Sequence, residues 1–346
     1  MALLIQYTLI FSAVLILVAL GGMFSERSGI INLGLEGIMV FGAMAGAMVM
    51  VLLPQDASKF TIVSLTIIAA ALAGIVSSLL IAIACINFNA DQTLIGTALN
   101  MLATASATVI VKAFNTARSN GTDFSAKLDY VRGHDAFMFN IGPVQLSWFI
   151  VVAAILLIVA IIVFYKTKFA LRLRACGEHP QAAESVGISV YAMRYSGVII
   201  SGFLAGIGGI IYIAAANSTW HFDYGVAGAG FLSLAVMIFG QWKPERIAWS
   251  AVLFAVFRSL SNVYMASEFF RPFQFQEPYT TSCLMSFHFL FLHLHPRIQE
   301  RLKQKVFLTI KDKDNSIRHY YPGYMYYLAG IYLTKGDKKY GYQNYS

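Results

Sequence analysis

The chain has 346 residues, 58% of them hydrophobic and only 12% charged, with a formal net charge of +8 at pH 7. An ordinary soluble domain carries charge on about a quarter of its residues, so the composition excludes one and predicts an all-α, polytopic transmembrane helical bundle. The positive charges sit in loops beside apolar runs and near the C-terminus. No basic stripe is interleaved with aromatic residues, which argues against nucleic-acid binding. Cys85, Cys176 and Cys283 stand far apart, without CxxC or metal-ligand spacing, and imply neither a disulfide framework nor zinc.

Residues 1–22 form an apolar run without a basic leader or a small-residue cleavage site, and read as a first span. The next stretch, GGMFSERSGIINLGLEGIMVFGAMAGAM, breaks apolar sequence with glycines and polar residues. Irregular backbone within a membrane is tolerated where it is buried in protein or lines an aqueous path. Asn32 and Glu36 therefore either line a translocation path or fix the broken segment; the competing possibility is an ordinary hairpin with a Glu36–Arg27 pair. Gly42 and Gly46 suit close helix packing.

Residues 60–86 and 94–112 give two more spans, separated by NFNADQT. Gln92, Thr93, Thr97 and Asn100 recur every three to four residues, which places them on one face. Such a stripe either binds a polar solute or bonds a neighbouring helix. Residues 113–143 form a long polar loop with mixed charge, assigned to the outside, where it is either solvated or meets a binding protein.

Residues 148–165 and 195–216 are long enough to span, and between them lies the polar segment 166–194. Lys166, Lys168, Arg172, Arg174 and Arg194 outnumber Glu178 and Glu184 there, which places the segment in the cytoplasm. Pro180 suits a first helical turn, residues 181–186 propagate it, and Gly187 suits a left-handed stop. The next span is rich in glycine, with a GxxxG pair at Gly202 and Gly206. Residues 217–225 lack Lys and Arg and suit an external connection; a short apolar run at 227–239 leads to Lys243, Glu245 and Arg246 on the cytoplasmic side, and 247–266 completes about eight spans.

The stretch FALRLRACGEHPQAAESVGISVYAMR, followed by SGFLAGIGG, resembles the cytoplasmic coupling loop of ABC-importer permeases in the branch serving sugars, nucleosides and branched-chain amino acids. GGMFSERSGIINLGLEG, DQTLIGTALNMLAT and WKPERIAWSAVLFA are similar to the same family, most of all to the shorter permease of purine-nucleoside systems served by a basic-membrane-protein-type lipoprotein. The resemblance implies that the loop's short helix seats in a groove of an ATP-binding subunit, with Arg174, Gly177, Glu178, Pro180, Ala183 and Gly187 at the recurrent positions. Cys176 departs mildly from the pattern. It also implies a second permease subunit, an extracytoplasmic substrate-binding lipoprotein and the plasma membrane. The translocation path would draw on Asn32, Glu36, Gln92, Thr93, Thr97 and Asn100.

No phosphate-cradling GxxxxGK[ST] loop and no HExxH or GxSxG segment is present, so an enzyme is not expected, no cofactor is assigned to this chain, and ATP is used by a separate subunit. A stand-alone secondary transporter would call for inverted repeats, which are not evident; a membrane scaffold would leave the loop motif unexplained. From about Phe269 the composition turns dense in Phe, Tyr, His and Lys. Read back into permissible codons and shifted by two, residues 296–315 decode as TNPRAPKAEGIPYDKGQR and a stop, close to the family's terminal motif. The expectation is a transmembrane permease domain over 1–268 and an out-of-frame tail over 269–346, in which His288, His293 and His295 form no metal site.

Overall fold

A chain that crosses a bilayer must satisfy its backbone hydrogen bonds internally, and a helix does so within one segment. The computed structural model describes residues 2–264, apart from 55, 142–143 and 215–216. The tail at 269–346, its histidines and the end of the run 247–266 lie outside the described residues.

The order is α1 (Ala2–Arg27), α2 (Leu35–Leu52), α3 (Lys59–Ala82, continued by a π turn to Asn87), α4 (Gln92–Arg118), β1 (Lys127–Asp129), α5 (Val131–Phe137), β2 (Met138–Ile141), β3 (Val144–Ser147) and α6 (Trp148–Lys166). Then come α7 (Lys168–Glu178), α8 (Pro180–Ser185), α9 (Val190–Ala214), β4 (Thr219–His221), α10 (Ala229–Phe239) and α11 (Pro244–Tyr264). Helices occupy all eight expected apolar segments. Among the described residues six of them, α1, α2, α3, α4, α6 and α9, are long and apolar enough to cross a membrane. The run at 227–239 yields only the eleven-residue α10, about 16 Å at 1.5 Å per residue, too short to cross a core of about 30 Å.

The centre is α9, packed against α1, α2 and α3. Its glycines allow this. A Cβ on Gly206 would fall inside van der Waals contact with the Ala70 carbonyl and 3.0 Å from Gly74 Cα, and one on Gly209 would collide with Met39 backbone. Gly42 in turn rests on Gly206. Without a hydrophobic drive between helices inside lipid, such close backbone approach supplies the packing energy.

The loops that follow α4 and α9 are tied together by β1 and β4, which pair antiparallel with Leu128 opposite Trp220. Tyr130 reinforces the tie by donating from its hydroxyl to the Ile213 carbonyl at 3.0 Å, and its burial pushes the phenol pKa upward. On the opposite side Asn87 Oδ1 accepts from the Tyr191 and Tyr195 hydroxyls at 2.6 and 2.8 Å, fixing the end of α3 to the start of α9.

Candidate functional site

Two broken segments meet between the helices. After α1 the chain turns at Gly29, where φ is +94°, and runs irregularly to Leu35. Its backbone polar groups are taken up by side chains. Gln92 Oε1 accepts from Ile31 N–H at 2.8 Å; Asn100 donates to the Leu33 carbonyl at 3.0 Å and accepts from Gly37 N–H at 2.7 Å. Asn32 is buried, donates to Ser201 Oγ at 3.0 Å and accepts from Gly34 N–H at 3.1 Å. Gly96 lets α4 approach, since a Cβ there would lie 2.8 Å from Leu33 Cβ.

The four polar residues of α4 therefore do not act as one face. Gln92 and Asn100 brace the broken segment, whereas Thr93 and Thr97 are exposed, and the Thr97 hydroxyl donates to its own helix at the Thr93 and Leu94 carbonyls, both 3.0 Å away. The reason is rotational: Gln92, Gly96 and Asn100 follow at four-residue steps along the packed side, and the threonines flank it.

The second broken segment is the approach to α10. Glu36, on the second residue of α2, accepts from Gly228 N–H at 2.8 Å and Gly230 N–H at 2.6 Å. A carboxylate here takes up otherwise orphaned N–H groups and opposes the positive end of the helix dipole. Gly228 has a left-handed φ of +77°. The Glu36–Arg27 hairpin pair considered from the sequence is not the arrangement: Arg27 meets Glu178 at 3.7 Å and the Trp242 carbonyl at 3.5 Å.

The third cluster is the loop between α6 and α9. Arg174 donates to the Phe164 carbonyl at 3.3 Å and lies 4.7 Å from the Phe164 ring centroid, with the Arg27 guanidinium 5.9 Å from the same ring. Gly177 sits so close to the Arg27 carbonyl that a Cβ would not fit. Glu178 is 70% exposed in its pair with Arg27, so the pair itself contributes about 1 kcal/mol at most; the backbone contact carries the junction. Pro180 opens α8, and Gly187 follows it with φ +79°. Ala183 packs with Cys176 and Val190 beneath it, and burial pushes the Cys176 thiol upward in pKa.

Residues 4–292 match the family described as the branched-chain amino acid transport system / permease component. The chain belongs to this permease family. It is 37% identical over 280 residues to the guanosine ABC transporter permease protein NupQ of Bacillus subtilis, covering 76% of this chain and 83% of that one. It is 38% identical over 263 residues to the nucleoside ABC transporter permease protein NupC of Lactococcus lactis, 74% of this chain and 80% of the relative. A second Lactococcus lactis protein, the nucleoside ABC transporter permease protein NupB, is 30% identical over 110 residues, 32% of this chain and 30% of its own. No solved structure gives a significant match.

As an ABC permease the chain is a multi-pass membrane protein that works with other subunits, a second permease and an ATPase, and is not itself an enzyme. Among the described residues no group of three His, Cys, Asp or Glu side chains could hold a metal ion. Sequence reasoning missed α7, although Ala170, Leu173 and Cys176, all buried, recur every third residue within it. It also missed the Glu36 bonds to Gly228 and Gly230, whose partners lie 192 and 194 residues away and leave no local signal.

Proposed function

We propose that this permease is the nucleoside-moving subunit of an ABC importer in the plasma membrane. The observation that carries the reading is its similarity to NupQ and NupC over most of their lengths. ATP is bound and used by a separate subunit, and this chain holds no cofactor. An extracytoplasmic lipoprotein delivers substrate to the outer loops joined by β1 and β4.

Coupling runs through α8. Gln181, Glu184, Ser185 and Val186 are exposed there, while Ala183 anchors the helix from below and Pro180 and Gly187 set its ends. Arg174, Gly177 and Glu178 then join α7 to the ends of α6 and α1. A push on α8 by the closing ATPase is thereby delivered to a spanning helix. Of the proposed path residues, Glu36, Thr93 and Thr97 offer accessible surface, and Asn32, Gln92 and Asn100 shape the path by bracing its wall.

Val186 is 73% exposed, so Val186→Asp leaves the fold intact while placing a charge in the interface. The variant is expected to lose at least about tenfold in ATPase co-purification, on the order of the 1–3 kcal/mol by which an unpaired buried polar group weakens an interface. Its own Tm in detergent should stay within about 1 °C, as expected for a surface change. Full ATPase retention would overturn the placement of the coupling surface.

A further inference from the structure

Lipid cannot cover the segment that leads into α10. The cytoplasmic end of this helix is marked by Trp242, whose carbonyl accepts from Arg27 beside the coupling loop. Counting back along its eleven residues places residues 224–228 about 16 Å above that end, near the middle of a hydrocarbon core of about 30 Å. At that depth Ala227 and Gly228 are exposed in left-handed conformations, with φ of +51° and +77°. Tyr224 is 75% exposed and Phe231 46%. Turn bonds satisfy part of this backbone, Ala227 N–H reaching the Tyr224 carbonyl at 3.3 Å and Ala229 N–H the Val226 carbonyl at 3.1 Å, but irregular backbone at that depth belongs where protein buries it or water reaches it, not against hydrocarbon. The Glu36 carboxylate beside it, bonded to Gly228 and Gly230, is equally unsuited to lipid.

The neighbouring helix agrees. Both α4 and α6 leave most of their length unpacked. The exposed side of α6 is Val151, Ile155, Ile158, Val159 and Ile162, a surface made for lipid. α4 likewise exposes Leu94, Met101, Leu102, Val109 and Ile110, but it also carries a line of hydroxyls, Thr93 and Thr97 exposed and Thr104 and Thr108 half-buried above them. Thr104 borders the α10 approach, its Oγ1 lying 3.3 Å from a Cβ placed on Gly225, and Thr108 donates to the Phe222 carbonyl at 3.5 Å.

We infer that the face comprising Glu36, Thr104, Tyr224, Ala227, Gly228 and Phe231 lines the aqueous solute path, and that the Tyr224 and Phe231 rings are the surface on which the base of a nucleoside stacks. The geometry turns this face away from lipid, and the labelling below separates water from the second permease subunit as what it meets; the stacking rests on the nucleoside reading. Glu36 is engaged by α10 and holds the wall in place, while the rings offer the π surface that every nucleobase shares and that free sugars and aliphatic amino acids do not exploit.

The test uses the assembled transporter in cells and in inside-out vesicles. Ala227→Cys, Phe231→Cys and, on the lipid side, Ile155→Cys are treated with a charged, membrane-impermeant thiol reagent, with the unsubstituted chain as blank. Cys85 and Cys176 are buried, and Cys283 is replaced by serine in every chain tested, the blank included. Ala227→Cys and Phe231→Cys are expected to label from at least one side at least about tenfold faster than Ile155→Cys, since the reagent needs water to reach them. Equal rates at all three positions overturn the aqueous face, whatever the substrate. Separately, Phe231→Leu should raise the KM for guanosine about tenfold and Phe231→Trp should restore it, the size expected from one lost stacking contact. An unchanged KM in Phe231→Leu, with labelling intact, overturns the stacking assignment and leaves both the path and the nucleoside reading standing. Absence of guanosine uptake both from the transporter carrying this chain and from one recoded beyond about Phe269 in the alternative reading frame defeats the nucleoside reading instead.

Discussion

Glu36→Ala is expected to lower substrate uptake by at least about tenfold at equal membrane abundance. Two charge-assisted bonds are lost, to Gly228 N–H at 2.8 Å and Gly230 N–H at 2.6 Å, each contributing about 1.5–3 kcal/mol. Gly230 N–H, which is buried, would then be left without an acceptor while the exposed Gly228 N–H turns to water, so the approach to α10 must shift to recover its fixed partner. Glu36→Gln should lie between, because one amide oxygen replaces two carboxylate oxygens and the amide N–H₂ opposes the second donor. Uptake normalised to permease content in isolated membranes measures the effect; wild-type uptake in Glu36→Ala would show that the cap does not hold the path wall.

Gly206→Val should abolish folded protein rather than tune it. A Cβ at this position already meets the Ala70 carbonyl inside van der Waals contact and stands 3.0 Å from Gly74 Cα. Valine adds two methyl groups to a close crossing of α9 with α3, and the helices must separate there. Overpacking of an ordinary core costs about 1–3 kcal/mol, and here both obstacles are backbone, which cannot choose another rotamer. Gly121 makes the contrast: nothing lies within 4 Å, and only its φ of +85° opposes a side chain, a penalty of about 1–2 kcal/mol. Size-exclusion profiles of detergent extracts should show a monodisperse peak for Gly121→Ala and loss of the peak for Gly206→Val. A monodisperse Gly206→Val would contradict the close packing.

The eight apolar segments and the ends of α8 were legible because each rests on a local cause: apolar length, or the conformations that Pro180 and Gly187 favour. The roles of Asn32, Gln92 and Asn100 were not. Whether a polar side chain in a membrane helix meets solute or backbone depends on what stands opposite, and Leu33, Gly37 and Ser201 reach them only in the folded chain. For Glu36 the sequence raised the right alternatives, a path lining or a fastener of broken backbone, yet its partners Gly228 and Gly230 are invisible without the fold. The aromatic pair Tyr224 and Phe231 escaped notice because exposed rings in an apolar run look like lipid contacts until the irregular backbone between them is placed at mid-depth.

The most direct measurement is uptake of labelled guanosine by cells lacking this permease and supplied either with this chain or with a version recoded beyond about Phe269 in the alternative reading frame. The expected result is uptake by the recoded version that depends on the ATPase subunit and is competed by other nucleosides but not by ribose or leucine. Uptake blocked by ribose or leucine, or absent from both versions, would contradict the assignment of a nucleoside importer.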